Sequence, residues 1–250
     1  MSIFVIEVCM NIIAFIPARG GSKSIPLKNI KRFYGKPLIA WSIKAACKSK
    51  HIDRIIVSTD SEKIAKVARK YGAETPFLRP AKLAGDKISA EPVIKHAIRW
   101  LNDNEGYKTD AIVLLMPPNP FRQTFHIDQA IEIFKKKKVD SVVSVNETPP
   151  NHTPFWTLVR SKSSKVTLYG GKSIKNILPQ RQAFPYKCYG RNDIVYVFKP
   201  KNLYQKKPNL YGDKVELIET DPIYEVDINT SEDWLDAEIK FKRILKKSKS

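Results

Sequence analysis

The sequence contains few of the residues that form disulfide bonds or bind transition metals. Its 250 residues include three cysteines and four histidines. Cys9, Cys47 and Cys188 are odd in number and far apart, which excludes a disulfide framework and a paired-cysteine metal site. The histidines form no H-x-x-x-H pair, so a zinc-protease motif is also excluded. This usage is typical of a reducing compartment, and we predict a cytoplasmic location.

The sequence also lacks a long apolar segment at its start. The apolar run of residues 3–6 has no basic residue before it and is followed by Glu7, so it is a poor signal peptide. It is also too short to span a bilayer. Met10 lies directly before the first core segment, so we expect the residues before it to add little. No membrane partner is predicted.

Acidic residues are scarce relative to basic ones. The chain has 44 lysines and arginines against 25 acidic residues, a formal net charge of +19. Part of this charge lies in lysine runs at residues 135–138 and 240–249, which are typical of solvated faces. The remainder suits a protein that attracts anionic small molecules. Nucleic acid is the competing partner, but no recognisable module or interleaving of arginine with aromatics supports it.

Hydrophobic periodicity predicts alternating strands and helices. The predicted strands are residues 12–16, 54–58, 111–116, 141–145 and 194–198, and the predicted helices are residues 38–48, 61–71, 89–101, 125–136 and 231–245. This order indicates an α/β, Rossmann-like fold with a mostly parallel sheet flanked by helices. The alternation breaks over residues 146–185. We predict one domain over residues 10–245 with 146–185 as an inserted excursion, and a basic tail at 246–250.

The clearest functional signal is the loop after the first predicted strand. Pro17 closes that strand, so residues 19–28 leave its carboxyl end, where open α/β sheets bind ligands. Gly20 and Gly21 allow backbone N–H groups to approach an anion. The positive charges of the loop are those of Arg19, Lys23 and Lys28. The loop matches neither a Walker A nor a dinucleotide motif. It predicts a polyphosphate site, with a solvated basic turn as the alternative.

Five segments in order resemble one family of enzymes. They are residues 16–29, the sequence G-K-P-L-I-A-W-S-I at 35–43, F-L-R-P-A-K-L-A-G-D at 77–86, R-Q followed by proline at 181–185, and V-D-I-N at 226–229. This order resembles the sugar-activating cytidylyltransferases, most closely the CMP-sialic acid synthetases, over residues 12–234. The resemblance implies a nucleotide-diphospho-sugar transferase fold. It also implies transfer of CMP from CTP to the anomeric hydroxyl of a nonulosonic acid, an acidic sugar, with release of pyrophosphate.

The resemblance assigns roles to individual residues. The implied catalytic cations, which neutralise charge on the phosphates, are Arg19, Lys23 and Lys28. The implied nucleotide contacts are Ala18, Gly20, Gly21, Ser22, Asn29, Arg79, Asp86 and Ser89. The implied sugar contacts are Arg181, Gln182, Tyr189 and Asn192. Arg181 is expected to grip the sugar carboxylate through two parallel N–H bonds.

Magnesium is the implied cofactor, because it is usually held by one or two carboxylates and by substrate phosphates. Asp227 stands where the family has a metal carboxylate, and Asn229 stands where it has the second one. An amide brings no charge, so we expect a weaker metal site. Asp233 is expected to be an acid at a helix N-terminus. The excursion is implied to contribute homodimer contacts and part of the sugar site.

Departures from the family patterns leave the identity of the sugar open. Met116 replaces a glutamine, Ser24 replaces a glycine in the first loop, and the family's N-G-A-I-Y becomes N-D-I-V-Y, with Asp193 replacing the glycine. Pseudaminic acid, legionaminic acid and sugars outside that set are alternatives to a sialic acid. Two other classes also stay open: a nucleotidyltransferase for another base or a sugar phosphate, and a non-catalytic nucleotide-binding member.

Overall fold

A computed structural model describes residues 10–247. Its strands are β1 Ile12–Pro17, β2 Arg32–Phe33, β3 Lys36–Pro37, β4 Arg54–Ser58, β5 Ala111–Leu114, β6 Ser141–Glu147, β7 Leu158–Arg160, β8 Val166–Leu168, β9 Tyr189–Phe198 and β10 Val215–Glu219. Its α-helices are α1 Leu38–Cys47, α2 Glu62–Lys70, α3 Ala90–Glu105, α4 Thr124–Lys137 and α5 Ser231–Lys247. Residues 1–9 and residues 248–250 of the predicted basic tail lie outside the described residues.

The central sheet has six strands in the order β10-β6-β9-β5-β1-β4. Strand β1 pairs in parallel with β4 and β5, while β9 pairs antiparallel with β5. Residues 12–16 are completely buried, as expected for a central strand covered on both faces. The structure confirms the predicted fold class, a mostly parallel sheet flanked by helices.

Several boundaries differ from the sequence-based expectation. Helix α3 continues past the predicted residue 101 to Glu105 and ends at Gly106, whose φ of +64° suits a glycine cap. Strand β9 begins at Tyr189, earlier than predicted, inside a segment whose polar residues resemble a loop. Strand β10 was not predicted, because its residues are largely exposed at the edge of the sheet.

A second core connects the C-terminal helix to the first loop. Phe241 of α5 stacks on Phe121 with ring centroids 5.4 Å apart, and Trp234 meets Phe33 edge-on at 5.6 Å. Ile228 is fully buried in the same cluster. Loss of such a buried aromatic side chain typically costs about 3–5 kcal/mol of stability. The packing therefore fixes residues 227–229 beside the loop that follows β1.

The chain divides into two compact units. The smaller is Val145–Asn192, which includes the whole of the predicted excursion at 146–185, and the larger contains the rest of the described chain. The smaller unit carries the β7–β8 hairpin and short 3-10 turns. Across residues 10–247, no helix combines the length and apolar character needed to cross a membrane.

Candidate active site

The loop after β1 is held by hydrogen bonds from its backbone. The Ala18 amide donates to the carbonyl of the last residue of β4 at 2.9 Å. The Gly20 amide donates to Asp60 Oδ1 at 2.8 Å, and the Ser22 amide donates to the Gly20 carbonyl at 3.1 Å. A Cβ built on Gly21 would have no atom within 4 Å. Within this loop, the space around Gly21 is therefore more open than that around Gly20, where a Cβ would lie 3.1 Å from the Ser61 Cβ.

The second half of the loop turns back toward the first. Leu27 has a φ of +52°, in the left-handed region, and the 3-10 helix Lys28–Ile30 follows it. Asn29 is buried, and its Nδ2 donates to the Arg19 carbonyl at 3.0 Å. Asn29 thus closes the loop, so that Arg19 and Lys28 belong to one rigid arrangement.

Two of the predicted phosphate-binding cations share one carboxylate. Lys23 Nζ lies 2.6 Å from Asp86 Oδ2, and the Arg19 guanidinium pairs with Asp86 Oδ1. The hydrogen bonds from Lys23 and Arg19 lower the pKa of Asp86. The Asp86 carboxylate therefore occupies the position, between two cations, that a phosphate oxygen could take.

A cleft of about 260 Å³ lies at the carboxyl edge of the parallel strands. The predicted residues that line it are Arg19, Ser22, Lys28, Asn29, Arg79, Ser89 and Asn229. Met116 and Pro118, from the loop after β5, also line it, as does the first turn of α3. The structure thus brings into one concave site four of the eight predicted nucleotide residues, two of the three predicted cations and one of the two predicted metal residues.

Arg79 is anchored in the wall of this cleft and is not part of a surface ion pair. Its side chain is buried, Nε donates to Ser58 Oγ at 3.1 Å, and Nη2 donates to the Ser58 carbonyl. Burial lowers the pKa of Arg79 to about 10, although the negative charge of Asp60 raises it. The guanidinium therefore stays charged near neutral pH, in a fixed orientation suited to read a carbonyl group.

Lys28 spans the cleft to the segment that holds the predicted metal residues. Its Nζ donates to the Ile228 carbonyl at 2.7 Å and to Asn229 Oδ1 at 3.3 Å. The Asn229 amide in turn donates from Nδ2 to Asp227 Oδ2 at 2.6 Å. The cation, the amide and the carboxylate thus form a chain of hydrogen bonds along one side of the cleft.

Burial and neighbouring charges shift the pKa values of two groups in this network. Burial lowers the pKa of Lys28, and the negative charge of Asp227 opposes that shift. Burial raises the pKa of Asp227. The hydrogen bond from Asn229 opposes this rise, and the negative charge of Asp193 increases it. Asp233 accepts the amides of Asn229 and Thr230 at 2.8 Å each, directly before α5.

The predicted sugar residues all fall on the smaller unit. Arg181 and Gln182 are exposed on one 3-10 turn, and both line a pocket of about 490 Å³ within that unit. Tyr189 and Asn192 lie on β9. Asn192 is buried and donates from Nδ2 to Asn146 Oδ1, so its amide supports the unit's interior. The structure therefore brings the first two together in a pocket that the other two do not line.

Some site groups carry no signal in the sequence. The Ile228 carbonyl that accepts from Lys28 is a backbone atom, which any residue supplies. Asp60 holds the Gly20 amide from the end of β4, but its acidic side chain there resembles an ordinary turn residue. Arg122 is buried and donates to the carbonyls of Met116, Asp193 and Ile194. Only the fold brings these groups next to the residues that they hold in place.

Comparison with known proteins finds similar enzymes that act on acidic sugars. A CMP-N,N'-diacetyllegionaminic acid synthase from Legionella pneumophila is 37% identical over 226 residues, which cover 90% of this chain and 94% of the relative. A pseudaminic acid cytidylyltransferase from Campylobacter jejuni is 43% identical over 126 residues, about half of each chain.

A solved structure and a family model extend the comparison. The structure of CMP:2-keto-3-deoxy-manno-octonic acid synthetase complexed with CTP matches with a TM-score of 0.66 at 14% identity, covering 93% of this chain and 99% of that one. Because the identity is low, this match supports the fold and not the activity. The family model for cytidylyltransferases matches residues 13–249. The chain therefore belongs to the cytidylyltransferase family, and it is an enzyme of the nucleotidyltransferase class.

Proposed function

We propose that this enzyme transfers CMP from CTP to the anomeric hydroxyl of a nonulosonic acid and releases pyrophosphate. The observation that carries the proposal is the cleft in which Arg19, Lys28 and Arg79 converge at the carboxyl edge of the sheet. Three cationic side chains at one ligand edge suit a nucleoside triphosphate. The full-length similarity to a CMP-sugar synthase supports the same reaction.

The chemistry requires little more than alignment and charge neutralisation. The sugar hydroxyl attacks the α-phosphorus in line and loses its proton to solvent. The bond from the α-phosphorus to the bridging oxygen breaks, and pyrophosphate leaves with the electron pair of that bond. Arg19 and Lys23 would exchange Asp86 for oxygens of the leaving pyrophosphate. Lys28, fixed by the Ile228 carbonyl, would contact the α-phosphate. Arg79 and backbone near Ser89 would orient the cytosine.

The residues at 227 and 229 fit a magnesium ion that takes most of its ligands from substrate. The described residues contain no cluster of three or more His, Cys, Asp or Glu side chains able to hold a metal. One carboxylate oxygen and one amide oxygen are hard ligands, and Mg²⁺ commonly uses one or two carboxylates with substrate phosphates. We propose that Asp227 and Asn229 hold Mg²⁺, which when bound would neutralise charge on the triphosphate.

For the sugar, we propose an acid of the legionaminic class, with pseudaminic acid as the next candidate. The legionaminic acid synthase resembles nearly the whole chain, whereas the pseudaminic acid enzyme resembles about half of it. Arg181 and Gln182 on the smaller unit would bind the sugar carboxylate, because the planar guanidinium offers two parallel donors. The names of the relatives favour an active enzyme over a non-catalytic nucleotide-binding member.

We also propose that the enzyme is a cytoplasmic homodimer that associates through the smaller unit. That unit exposes many large apolar side chains, which typically mark an interaction surface: Leu158, Val159, Val166, Tyr169, Ile174, Ile177 and Tyr186. Light scattering should give twice the mass of the 28.6 kDa chain, and Leu158→Glu combined with Ile174→Glu should give a monomer.

The reaction is tested by measuring pyrophosphate release with each of the four nucleoside triphosphates against a panel of acidic sugars. The panel should include N-acetylneuraminic, legionaminic, pseudaminic and 3-deoxyoctulosonic acids, with a sugar phosphate as a further arm. We expect release only with CTP and a nonulosonic acid. Release with another base or with the sugar phosphate would contradict the proposal.

A further inference from the structure

The predicted metal site has less negative charge than two carboxylates would give it. Asp227 supplies one charge, while Asn229 is neutral and its Oδ1 already accepts from Lys28 at 3.3 Å. Lys28 adds a positive charge on the same side of the cleft. A divalent cation bound there would gain from a second carboxylate, since Mg²⁺ prefers charged oxygen ligands. A second carboxylate near Asp227 would therefore strengthen the site.

Two carboxylates are close enough to Asp227 for their charges to act on it, those of Asp193 and Asp233. Asp233 is engaged by backbone, because its Oδ2 accepts the amides of Asn229 and Thr230 at 2.8 Å each. This carboxylate fixes the turn before α5. In the described part of the chain, one hydrogen bond reaches the Asp193 carboxylate, from the Tyr196 hydroxyl to Oδ1 at 3.1 Å. The negative charge of Asp193 also acts on the buried Arg122 guanidinium. Its Oδ2 accepts no hydrogen bond from the described residues, so Asp193 is less engaged by the fold than Asp233.

The strand pairing brings Asp193 to the edge of the sheet where the cleft lies. Strand β9 runs antiparallel to β5, and Tyr196 pairs with Leu114, the last residue of β5. Asp193 lies three residues before Tyr196, beyond the carboxyl end of β5. Because β1 and β5 are parallel, this is also the edge at which the phosphate-binding loop leaves β1.

The buried Arg122 side chain ties Asp193 to the wall of the cleft. Arg122 Nη2 donates to the Asp193 carbonyl at 2.8 Å and to the Met116 carbonyl at 3.0 Å, and Met116 lines the cleft. Two residues further on, the Pro118 carbonyl accepts the Ile228 amide at 3.2 Å. Asp193 and the segment of Asp227 are thus both attached to the loop after β5.

We propose that Asp193 supplies a second carboxylate to the divalent cation held by Asp227. This inference rests on the proposed function, which assigns the metal to that segment. Asp193 would supply the negative charge that Asn229 does not provide. The site would then have two carboxylates, those of Asp193 and Asp227, on different segments. The two substitutions noted in the sequence, an aspartate for a glycine at 193 and an asparagine for an aspartate at 229, would compensate for each other.

The test measures metal binding without turnover. Mn²⁺ replaces Mg²⁺, and bound Mn²⁺ is quantified by electron paramagnetic resonance with CTP present and sugar absent. We expect Asp193→Asn to raise the Mn²⁺ dissociation constant by about tenfold or more, comparable to the loss of other groups that support a metal. Asp227→Asn is the reference for loss of the site. Asp236→Asn, an exposed carboxylate on α5, is the matched control and should change nothing.

A rescue variant separates a ligand from a merely structural residue. In the double variant Asp193→Gly with Asn229→Asp, Mn²⁺ affinity should return to nearly that of the unchanged enzyme. If Asp193→Asn binds Mn²⁺ normally while Asp227→Asn does not, the inference is overturned and the proposed function stands. Failure of the rescue would also overturn it. If Asp227→Asn itself binds Mn²⁺ normally, the metal assignment in the proposed function is wrong.

Discussion

Lys23 Nζ lies 2.6 Å from Asp86 Oδ2, and the Arg19 guanidinium pairs with the other oxygen of the same carboxylate. Arg19 and Lys23 come from the loop after β1 and Asp86 comes from the segment before α3, and their side chains are partly or largely exposed. An exposed pair is stabilised only weakly in water. A triphosphate, with several charges, can therefore displace Asp86 from both cations at small cost.

The first prediction follows from this competition. Asp86→Asn removes the carboxylate that competes with the phosphates for Arg19 and Lys23, so CTP should bind about two- to fivefold more tightly, in line with the strength of exposed pairs. Isothermal titration calorimetry at low salt measures the change, with Asp236→Asn as control. The difference should shrink as salt screens the charges. Weaker CTP binding would mean that Asp86 orients the cations and does not compete with the phosphates.

The second prediction concerns Lys23 during turnover. Lys23→Ala should raise the apparent CTP constant and lower kcat/KM by about 100-fold, the typical cost of losing one group that stabilises developing charge. Steady-state pyrophosphate release measures both parameters. The control is Lys63→Ala, an exposed lysine on α2. An unchanged rate would mean that the loop is a solvated basic turn and not a phosphate-binding site.

The third prediction assigns the sugar carboxylate to Arg181. Arg181→Ala should raise the KM for the acidic sugar while CTP affinity, measured by calorimetry, stays nearly unchanged. Arg181→Lys should rescue poorly, because an ammonium group cannot form two parallel bonds. Arg160→Ala, an exposed arginine in the same unit, serves as control. Loss of CTP binding in Arg181→Ala would show that the assignment is wrong.

The fourth prediction is the reverse behaviour at Arg79. Arg79→Ala should weaken CTP binding and relax discrimination among the four bases, while leaving the KM for the sugar nearly constant. Because Arg79 is buried and bonded to Ser58, the thermal midpoint of the variant must be measured alongside. A folded variant that still prefers CTP over the other nucleotides would contradict the role of Arg79 in base recognition.

The fifth prediction concerns stability at low pH. The His126 ring is buried and its Nδ1 accepts the Gln123 amide at 3.1 Å, which requires a neutral ring. Burial lowers the pKa of His126 from 6.5 to about 4. The unfolded chain therefore takes up this proton first, so stability is fully present above pH 6.5 and falls as the pH drops toward 4. The loss at this residue should be about 3 kcal/mol.

Urea unfolding between pH 4 and pH 7 measures the contribution of His126. His126→Asn should flatten the pH dependence, whereas His152→Asn, an exposed histidine, should leave it unchanged. Equal slopes in the His126→Asn variant and the unchanged protein would mean that other groups account for the pH dependence.

Regular periodicity allowed most of the fold to be predicted. The continuous apolar run at residues 12–16 indicated a buried strand, and β4 was predicted with its observed limits, Arg54–Ser58. Strand β9 was predicted too short, because its first five residues lack the apolar pattern of a strand. A polar residue in a buried part of a sheet needs a hydrogen-bond partner, and Asn192 finds one in Asn146. Such partners are distant in sequence, so local patterns cannot reveal them.

The site was predictable where charge and glycine concentrate in one segment. The loop after β1 stood out for that reason, and the structure brings Arg19, Lys28 and Asn29 to one cleft. The contact of Lys28 with the Ile228 carbonyl joins residues 200 positions apart through a backbone atom, which no sequence pattern encodes. The burial of Arg122 among carbonyl groups is likewise a property of the fold.

The most direct test of the proposed reaction is identification of its product. The enzyme is incubated with CTP, Mg²⁺ and N,N'-diacetyllegionaminic acid, and the mixture is analysed by mass spectrometry and ³¹P nuclear magnetic resonance. We predict a CMP-sugar with a single phosphodiester phosphorus and one equivalent of pyrophosphate. Formation of a nucleoside diphosphate sugar, or unchanged CTP with every nonulosonic acid in the panel, would contradict the account.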